Sequence, residues 1–430
     1  MRLLGFIAAI GFAGLMGGCS VNPVTGEQQF TLMSASQEVA IGTRQYAPSQ
    51  QSQGGRYSVD PDLNLYVSQV GHKLAAVSQR PNLPYEFVVL NNDVPNAWAL
   101  PGGKIAINRG LLMEMEDEAQ LASVLAHEIV HAAARHSASQ MTQQMLLGLG
   151  SQFLTIAGKN TGYGDLINTG AQMGSALVLA QYGQDHELES DYYGMEYMAL
   201  AGYEPQAAVE LQQTFVRLSE GRQSDWLSGL FASHPPSQTR VVANQRKAEQ
   251  LPSGKRNRAT YQRAIAQIKR DAGAYKTHQE AIKAANDKDV DRALSLVQQA
   301  INKQPKEHLF WVTKGQLHMN KNHFKSASTA FSKAISLDPE YFMSYLGRGL
   351  SAKELGRTET ATQDLQQSLT LLPTQMASFH LGELMEGQGD YRSAVEYYNK
   401  ATQGGGELGQ KAAKRIQDIM QPQQNKQQNR

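Results

Sequence analysis

Pro305, Pro339 and Pro373 stand at intervals of 34 residues, and small residues precede each at fixed offsets. They are Ala281, Ala293 and Ala300, then Gly315, Ala327 and Ala334, then Gly349, Ala361 and Ser368. Gly382, Ala394 and Ala401 continue the series one residue out of phase. Small side chains let two helices approach closely and a proline stops a helix, so the period predicts a helix-turn-helix unit used about four times. Such units cannot bury their apolar faces singly and must stack, which predicts a helical array over residues 273–408. A chain of 430 residues exceeds one such core, so a second domain is expected upstream.

Upstream, the constraint is "LASVLAHEIVHAAARH", residues 121–136, inside a helical run from Glu114 to about Leu147. Residues four apart on a helix point the same way, so His127 and His131 can offer ring nitrogens to one ion. Glu128 is then held beside the metal without ligating it, placed to take a proton from water. The competing reading is a core helix with satisfied histidines. Three ionisable groups in five apolar-flanked positions would be costly to bury without a strong partner, and a metal is one. Cys19 is the only cysteine, so no thiolate serves the folded body and Zn2+ must be held by histidine and carboxylate. A third ligand is expected from "HELESD", residues 186–191, on a second helix of roughly 175–201 ended by Gly202. Glu187 and Asp191 share a face one turn apart, so Glu187 can ligate while Asp191 orients a ligand histidine. Glu189 points nearly opposite and is the weaker candidate. By itself "ELESD" would read as an exposed acidic face.

The N-terminus is of another kind: Arg2, then "LLGFIAAIGFAGLM", then "GGCS". The apolar run is too short to span a bilayer comfortably and reads as an export signal over residues 1–18. Residues 19–60 are polar and Gln/Ser-rich and read as a tether. "EFVVL" and "KIAIN", the latter after a "PGG" breaker, read as strands. "LLGLGSQFLTIAGKNTGYGDLINTG" suits a mobile flap or a packed connection equally. Residues 246–272 are basic and polar and read as a linker, and "QPQQNKQQNR" at the end as a disordered tail. With 40 basic against 39 acidic residues, no charge field exists to collect nucleic acid.

Several of these stretches resemble known families. The small residues before Cys19 resemble the cleavage box of bacterial lipoproteins, which implies a lipid on Cys19; Ser20, where an inner-membrane retention aspartate is absent, implies the outer membrane. The 34-residue unit resembles the tetratricopeptide repeat, which implies a concave surface for a protein or peptide. "HEIVH" followed by Arg135 and His136, "ELESD", and "NAWALPGGKIAINRGLL" ahead of both resemble the prenyl-protein protease family and its soluble bacterial relatives. These are gluzincins, so the resemblance makes Glu187 the third ligand. Together with the repeats it points to BepA-like periplasmic proteases, which act in quality control of outer-membrane β-barrel assembly. The resemblance also singles out "SHPPSQTR", carrying a histidine onto His234 and a supporting arginine onto Arg240. His234 either takes the fourth position on zinc and makes the enzyme latent, or stabilises the oxyanion.

The expected fold class is therefore α+β and mainly helical: a gluzincin-type metallopeptidase domain with a small β-sheet over 61–245, then an all-α repeat array, with a terminal helix and tail over 409–430. The expected function is a periplasmic zinc endopeptidase acting on unfolded or misassembled polypeptides. Its repeats would meet the β-barrel assembly machinery or another protein. Substrate is expected to add as a strand beside Lys104, Ile105, Ala106, Ile107 and Asn108, read as a sheet edge. The alternative is a chaperone or assembly scaffold that works through the repeats, with a mostly latent protease site.

Overall fold

The computed structural model describes residues 19–146, 182–221 and 233–428. The signal segment, and most of the Gly-rich stretch read as flap or connection, lie outside them. The chain divides into two compact units, one of residues 19–46, 60–146, 182–221 and 233–266, the other of 47–59 and 267–428. No helix among the described residues is long and apolar enough to cross a membrane.

The first unit begins with an antiparallel hairpin of β1 (Cys19–Val21) and β2 (Gln28–Phe30), with Cys19 opposite Phe30. Then come α1 (Ala35–Ser52), whose residues from Ala47 on count with the second unit, and α2 (Pro61–Ala75), so residues 19–60 are built into the fold and are not a tether. Composition showed their polarity; it could not show that Asn22 N and Glu27 O would close a turn at 2.8 Å.

The sheet has three strands, β3 (Glu86–Leu90), β4 (Ala97–Leu100) and β5 (Lys104–Asn108), in the order β3-β5-β4. Here the structure corrects the expected substrate strand. Lys104–Asn108 is the central strand, parallel to β3 with Val88 opposite Ala106 and antiparallel to β4 with Trp98 opposite Ala106. All five of its residues are buried, and both rows of its backbone groups are already paired. Sequence alternation reports a strand but not its neighbours; among the described residues β4 is a strand at the sheet edge, and its Ala97 lines the cleft at the site. Gly102 and Gly103 turn β4 into β5 with φ of +79° and +84°; a Cβ at Gly102 would meet Val39 Cα at 2.7 Å.

After the short α3 (Arg109–Met113), the sheet is covered by α4 (Glu118–Ala133), capped by Asp117, whose side chain accepts from Gln120 N. Every residue of α4 except Ser123 is buried. The helix expected to run on to Leu147 breaks at Arg135, with φ +67°, and resumes as α5 (His136–Leu146). The left-handed residue is held there because its guanidinium bonds Glu38 and the Met33 carbonyl. α6 (Gln184–Leu200), α7 (Gln206–Gly221), α8 (Gln238–Ala248) and α9 (Arg258–Ala264) complete the unit. The expected linker 246–272 is thus largely folded. Tyr261 is fully buried with its hydroxyl on Leu112 O at 2.6 Å, and Arg256 pairs with Asp117 and Glu210.

The second unit holds four helix pairs: α10 (Ala266–Asn286) with α11 (Val290–Lys303), α12 (His308–Asn320) with α13 (Phe324–Leu337), α14 (Phe342–Glu354) with α15 (Thr358–Leu371), and α16 (Gln375–Gly387) with α17 (Tyr391–Thr402). A final helix, α18 (Gly406–Gln428), continues into the stretch whose composition suggested disorder. Glutamine and lysine are good helix formers, so polarity alone does not stop it. Gln51 joins this unit by bonding Glu340 O at 2.6 Å and Phe342 N at 2.9 Å.

The small residues of the period explain themselves in pairs. Gly315 packs on Phe331, Gly349 on Leu365 and Gly382 on Tyr398, each partner sixteen residues on. Gly347 also packs on the tip of the Phe331 ring, where a Cβ would meet Cζ at 2.2 Å. Alanine gains about 1 kcal/mol of helix propensity over glycine, whereas overpacking a core costs about 1–3 kcal/mol. With a fully buried ring in the way, overpacking wins: Gly347→Ala should lower the stability of the array in urea unfolding. Gly273→Ala, with nothing within 4 Å of its Cβ, should raise it.

Candidate metal centre

Two helices supply the centre, the buried α4 and one buried face of α6. α4 presents His127, Glu128 and His131, and α6 presents Glu187 and Asp191. The helices can cross closely because Gly194 faces α4, where a Cβ would lie 3.2 Å from His127 N. His127 Nε2 and His131 Nε2 face one another at 3.0 Å, and Glu187 reaches both, Oε2 to His127 at 3.4 Å and Oε1 to His131 at 3.3 Å. His234, from the segment before α8, brings Nδ1 to 2.9 Å from Glu187 Oε1 and 3.3 Å from His127 Nε2. Donor atoms of His127, His131, Glu187 and His234 all lie within 4.8 Å of one another, and all four residues are buried.

This donor set fits a zinc ion: nitrogen and carboxylate oxygen, no thiolate, converging on one point. Glu128 is not among them. Its Oε1 lies 3.5 Å from His234 Nε2, while its Oε2 is buried without a hydrogen-bond partner among the described residues. A buried carboxylate oxygen left this way is costly unless something else meets it.

Around the donors stands a polar frame. Asp191 Oδ1 meets His127 Nδ1 at 2.9 Å. Arg240 donates to both Asp191 oxygens at 2.7 and 2.8 Å and pairs with Glu187 Oε2 at 2.8 Å. Asn244 adds a bond to Asp191 at 3.3 Å, and the Tyr182 ring stacks on His131 with centroids 3.9 Å apart. Burial pushes the Glu128 carboxyl up and His131 down. Burial would raise Asp191 too, but the Arg240 guanidinium outweighs it and holds that carboxyl well below the usual range. At Glu187 burial is likewise outweighed, by His234 and His127, and the shift is downward.

A cleft opens onto the centre, lined by His127, Glu128, Asp191, His234 and Arg240 and by apolar Ala97, Val124, Met198, Leu211 and Phe215. Of the residues singled out in the sequence, the structure gathers His127, Glu128, His131, Glu187, Asp191, His234 and Arg240 here. Lys104–Asn108 are not at the cleft, and among the described residues Cys19 is in the N-terminal hairpin. Asn244 and Tyr182 were missed, and no local pattern marks either one.

Residues 61–247 match Peptidase family M48, and 309–341 and 377–403 match the tetratricopeptide repeat. The mitochondrial metalloendopeptidase OMA1 of Schizosaccharomyces pombe is 32% identical over 246 residues, 55% of this chain and 68% of that protein. The chain belongs to peptidase family M48. Among other M48 relatives, the beta-barrel assembly-enhancing protease of Yersinia pestis is 30% identical over 247 residues, 55% of this chain and 49% of its own length. The Escherichia coli protein of that name is 29% identical over 238 residues, 53% and 47% respectively. The chain thus spans about half the length of these two curated relatives.

Proposed function

We propose that the chain is a zinc-dependent endopeptidase of the bacterial periplasm that cuts unfolded or stalled outer-membrane polypeptides in the quality control of β-barrel assembly. The observation that carries this reading is the convergence of His127, His131, Glu187 and His234 beside the unpartnered Oε2 of Glu128. The names of the bacterial relatives support the barrel-assembly context.

His127, His131 and Glu187 would hold the ion; bound there, zinc supplies Lewis acidity for a scissile carbonyl and for water. Glu128 takes the proton of the attacking water as the C–O bond forms, then returns it to the amine as the C–N bond breaks. Its upward shift by burial suits a group that must both gain and lose a proton. Asp191 fixes the tautomer of His127, and Arg240 fixes Asp191. Substrate would lie beside β4, whose Ala97 lines the cleft, and pair through its backbone with little sequence preference.

His234 lies between the donors and the base, Nδ1 toward Glu187 and Nε2 toward Glu128. That position favours the latch role over oxyanion stabilisation, and with it a second reading, an assembly scaffold whose protease site is mostly latent. A lipid on Cys19 would keep the protein at the outer membrane. Exposed Val21, Phe30 and Leu32 beside it, at 48%, 39% and 53% exposure, suit a membrane-facing position. The repeats would dock the assembly machinery.

The mature chain should cleave unfolded casein, lose that activity to a chelator and regain it with zinc. His234→Ala should cut several-fold faster than wild type with zinc retained. Equal inactivity of His234→Ala and wild type, with zinc bound in both, would favour the scaffold. Loss of activity in His234→Ala alone would place His234 in catalysis.

A further inference from the structure

His131 turns Nε2 to the donor cluster, 3.0 Å from His127 Nε2 and 3.3 Å from Glu187 Oε1. A neutral imidazole that gives one nitrogen to a cation keeps its proton on the other, so Nδ1 of His131 is a donor. The atom it meets is Nδ1 of His136, at 2.9 Å. His136 must accept there, which leaves its own proton on Nε2; that nitrogen is buried with no formed hydrogen bond among the described residues, and Glu189 Oε1 stands 3.3 Å from it, at ion-pair distance. The same oxygen accepts from Asn22 Nδ2 at 2.8 Å. Asn22 is itself pinned, because its Oδ1 accepts from Val24 N at 2.9 Å and Thr25 N at 3.4 Å in the turn between β1 and β2.

His136 is fully buried and stacked on His186 with ring centroids 4.1 Å apart, so its ring has little freedom to turn. The break at Arg135 aims it: at φ +67° the chain leaves the path of α4, and the first residue of α5 brings its ring to His131 in the last turn of α4. Glu189 sits two residues after Glu187 on α6 and so faces away from the donors, toward the hairpin. Thus the carboxylate that the helical wheel makes a poor ligand is the one that meets the support of a ligand.

We propose that Asn22, Glu189 and His136 are positioning residues that fix the tautomer and ring plane of His131, making the N-terminal hairpin a working part of the metal centre. The inference rests on the metal reading above. It differs from the Asp191–Arg240 support of His127 in its origin: that frame comes from α6 and α8, whereas this one reaches a turn that begins three residues after Cys19. Partners of this kind orient metal-ligating histidines, and losing one costs about 10–100-fold in affinity.

The test uses the mature full chain as wild type, Asn22→Ala and Glu189→Gln. Zinc affinity is read by competition with a chromophoric chelator, ligand geometry by the visible absorption of the cobalt(II)-loaded protein, and folding by thermal unfolding of the apo form. The expected result is zinc bound about 10–100-fold more weakly by Glu189→Gln, and more weakly by Asn22→Ala, each with an altered cobalt spectrum. A purely structural role would lower the apo melting temperature and leave affinity and spectrum alone. Wild-type affinity and spectrum in both variants overturn the inference while leaving the metal reading intact. Should Glu189→Gln not fold, Asn22→Ala, at a buried residue of the hairpin turn, decides on the same readouts, with the apo melting temperature reporting what the turn itself loses. A wild type that holds no zinc overturns the metal reading and this inference with it.

Discussion

Glu128→Gln should bind zinc as wild type does and cleave casein about 10²–10⁴-fold more slowly, the range a positioned general acid–base contributes. The two halves of this result have separate causes. Glutamine keeps the shape of glutamate and Glu128 is not one of the four converging donors, so the metal centre should stay whole. An amide cannot take a proton from water at neutral pH, so the chemical step loses its base. Zinc content measured on the same samples separates a lost base from a lost metal. A variant that cuts as fast as wild type would refute the assignment of Glu128. The substitution also removes a charge from a fully enclosed place; Oε2 has no hydrogen bond to lose among the described residues, and an amide oxygen can still face His234 Nε2 where Oε1 does now. The apo form should therefore be no less stable than wild type in urea.

Arg240→Met should have the opposite profile, with its main effect on folding. Arg240 is 4% exposed and carries the charge that compensates both Asp191 and Glu187. Methionine fills similar volume but strands two buried carboxylates, and breaking a buried pair this way costs about 3–5 kcal/mol. The Lys400–Glu396 pair is the control: both side chains are more than half exposed, and such helix-surface pairs contribute about 0.3–0.5 kcal/mol. Urea unfolding of the apo proteins should show a large loss for Arg240→Met and almost none for Lys400→Met. Added zinc should recover part of the loss, because an ion among the donors compensates Glu187 even when Arg240 is gone.

What could be read from the residues follows from the range over which each signal acts. Helix pairs were legible because Gly315, Gly349 and Gly382 each answer a bulky residue sixteen positions on, so a local contact writes itself into a period. "HEIVH" was legible because one helical turn places both rings. By contrast, the place of "KIAIN" in its sheet depends on β3 and β4 together, and nothing within five residues records that. Residues 246–272 looked like a linker because their charges are visible and their partners are not: Arg256 finds Asp117 and Glu210 across more than forty residues of chain. His136 stood in plain view beside Arg135, but its part in the site needs the left-handed break at Arg135 and a carboxylate from another helix.

The last helix gives the repeat array a direction. Ala412 and Ile419 of α18 pack with Phe379 and Tyr398, on the face where another helix pair would stack, while Lys411, Lys414 and Asp418 on its other side are exposed. Stacked repeats left open at such a face can continue by recruiting the same face of a neighbouring molecule. With that face covered and charges turned outward, growth by end-to-end addition has no template there.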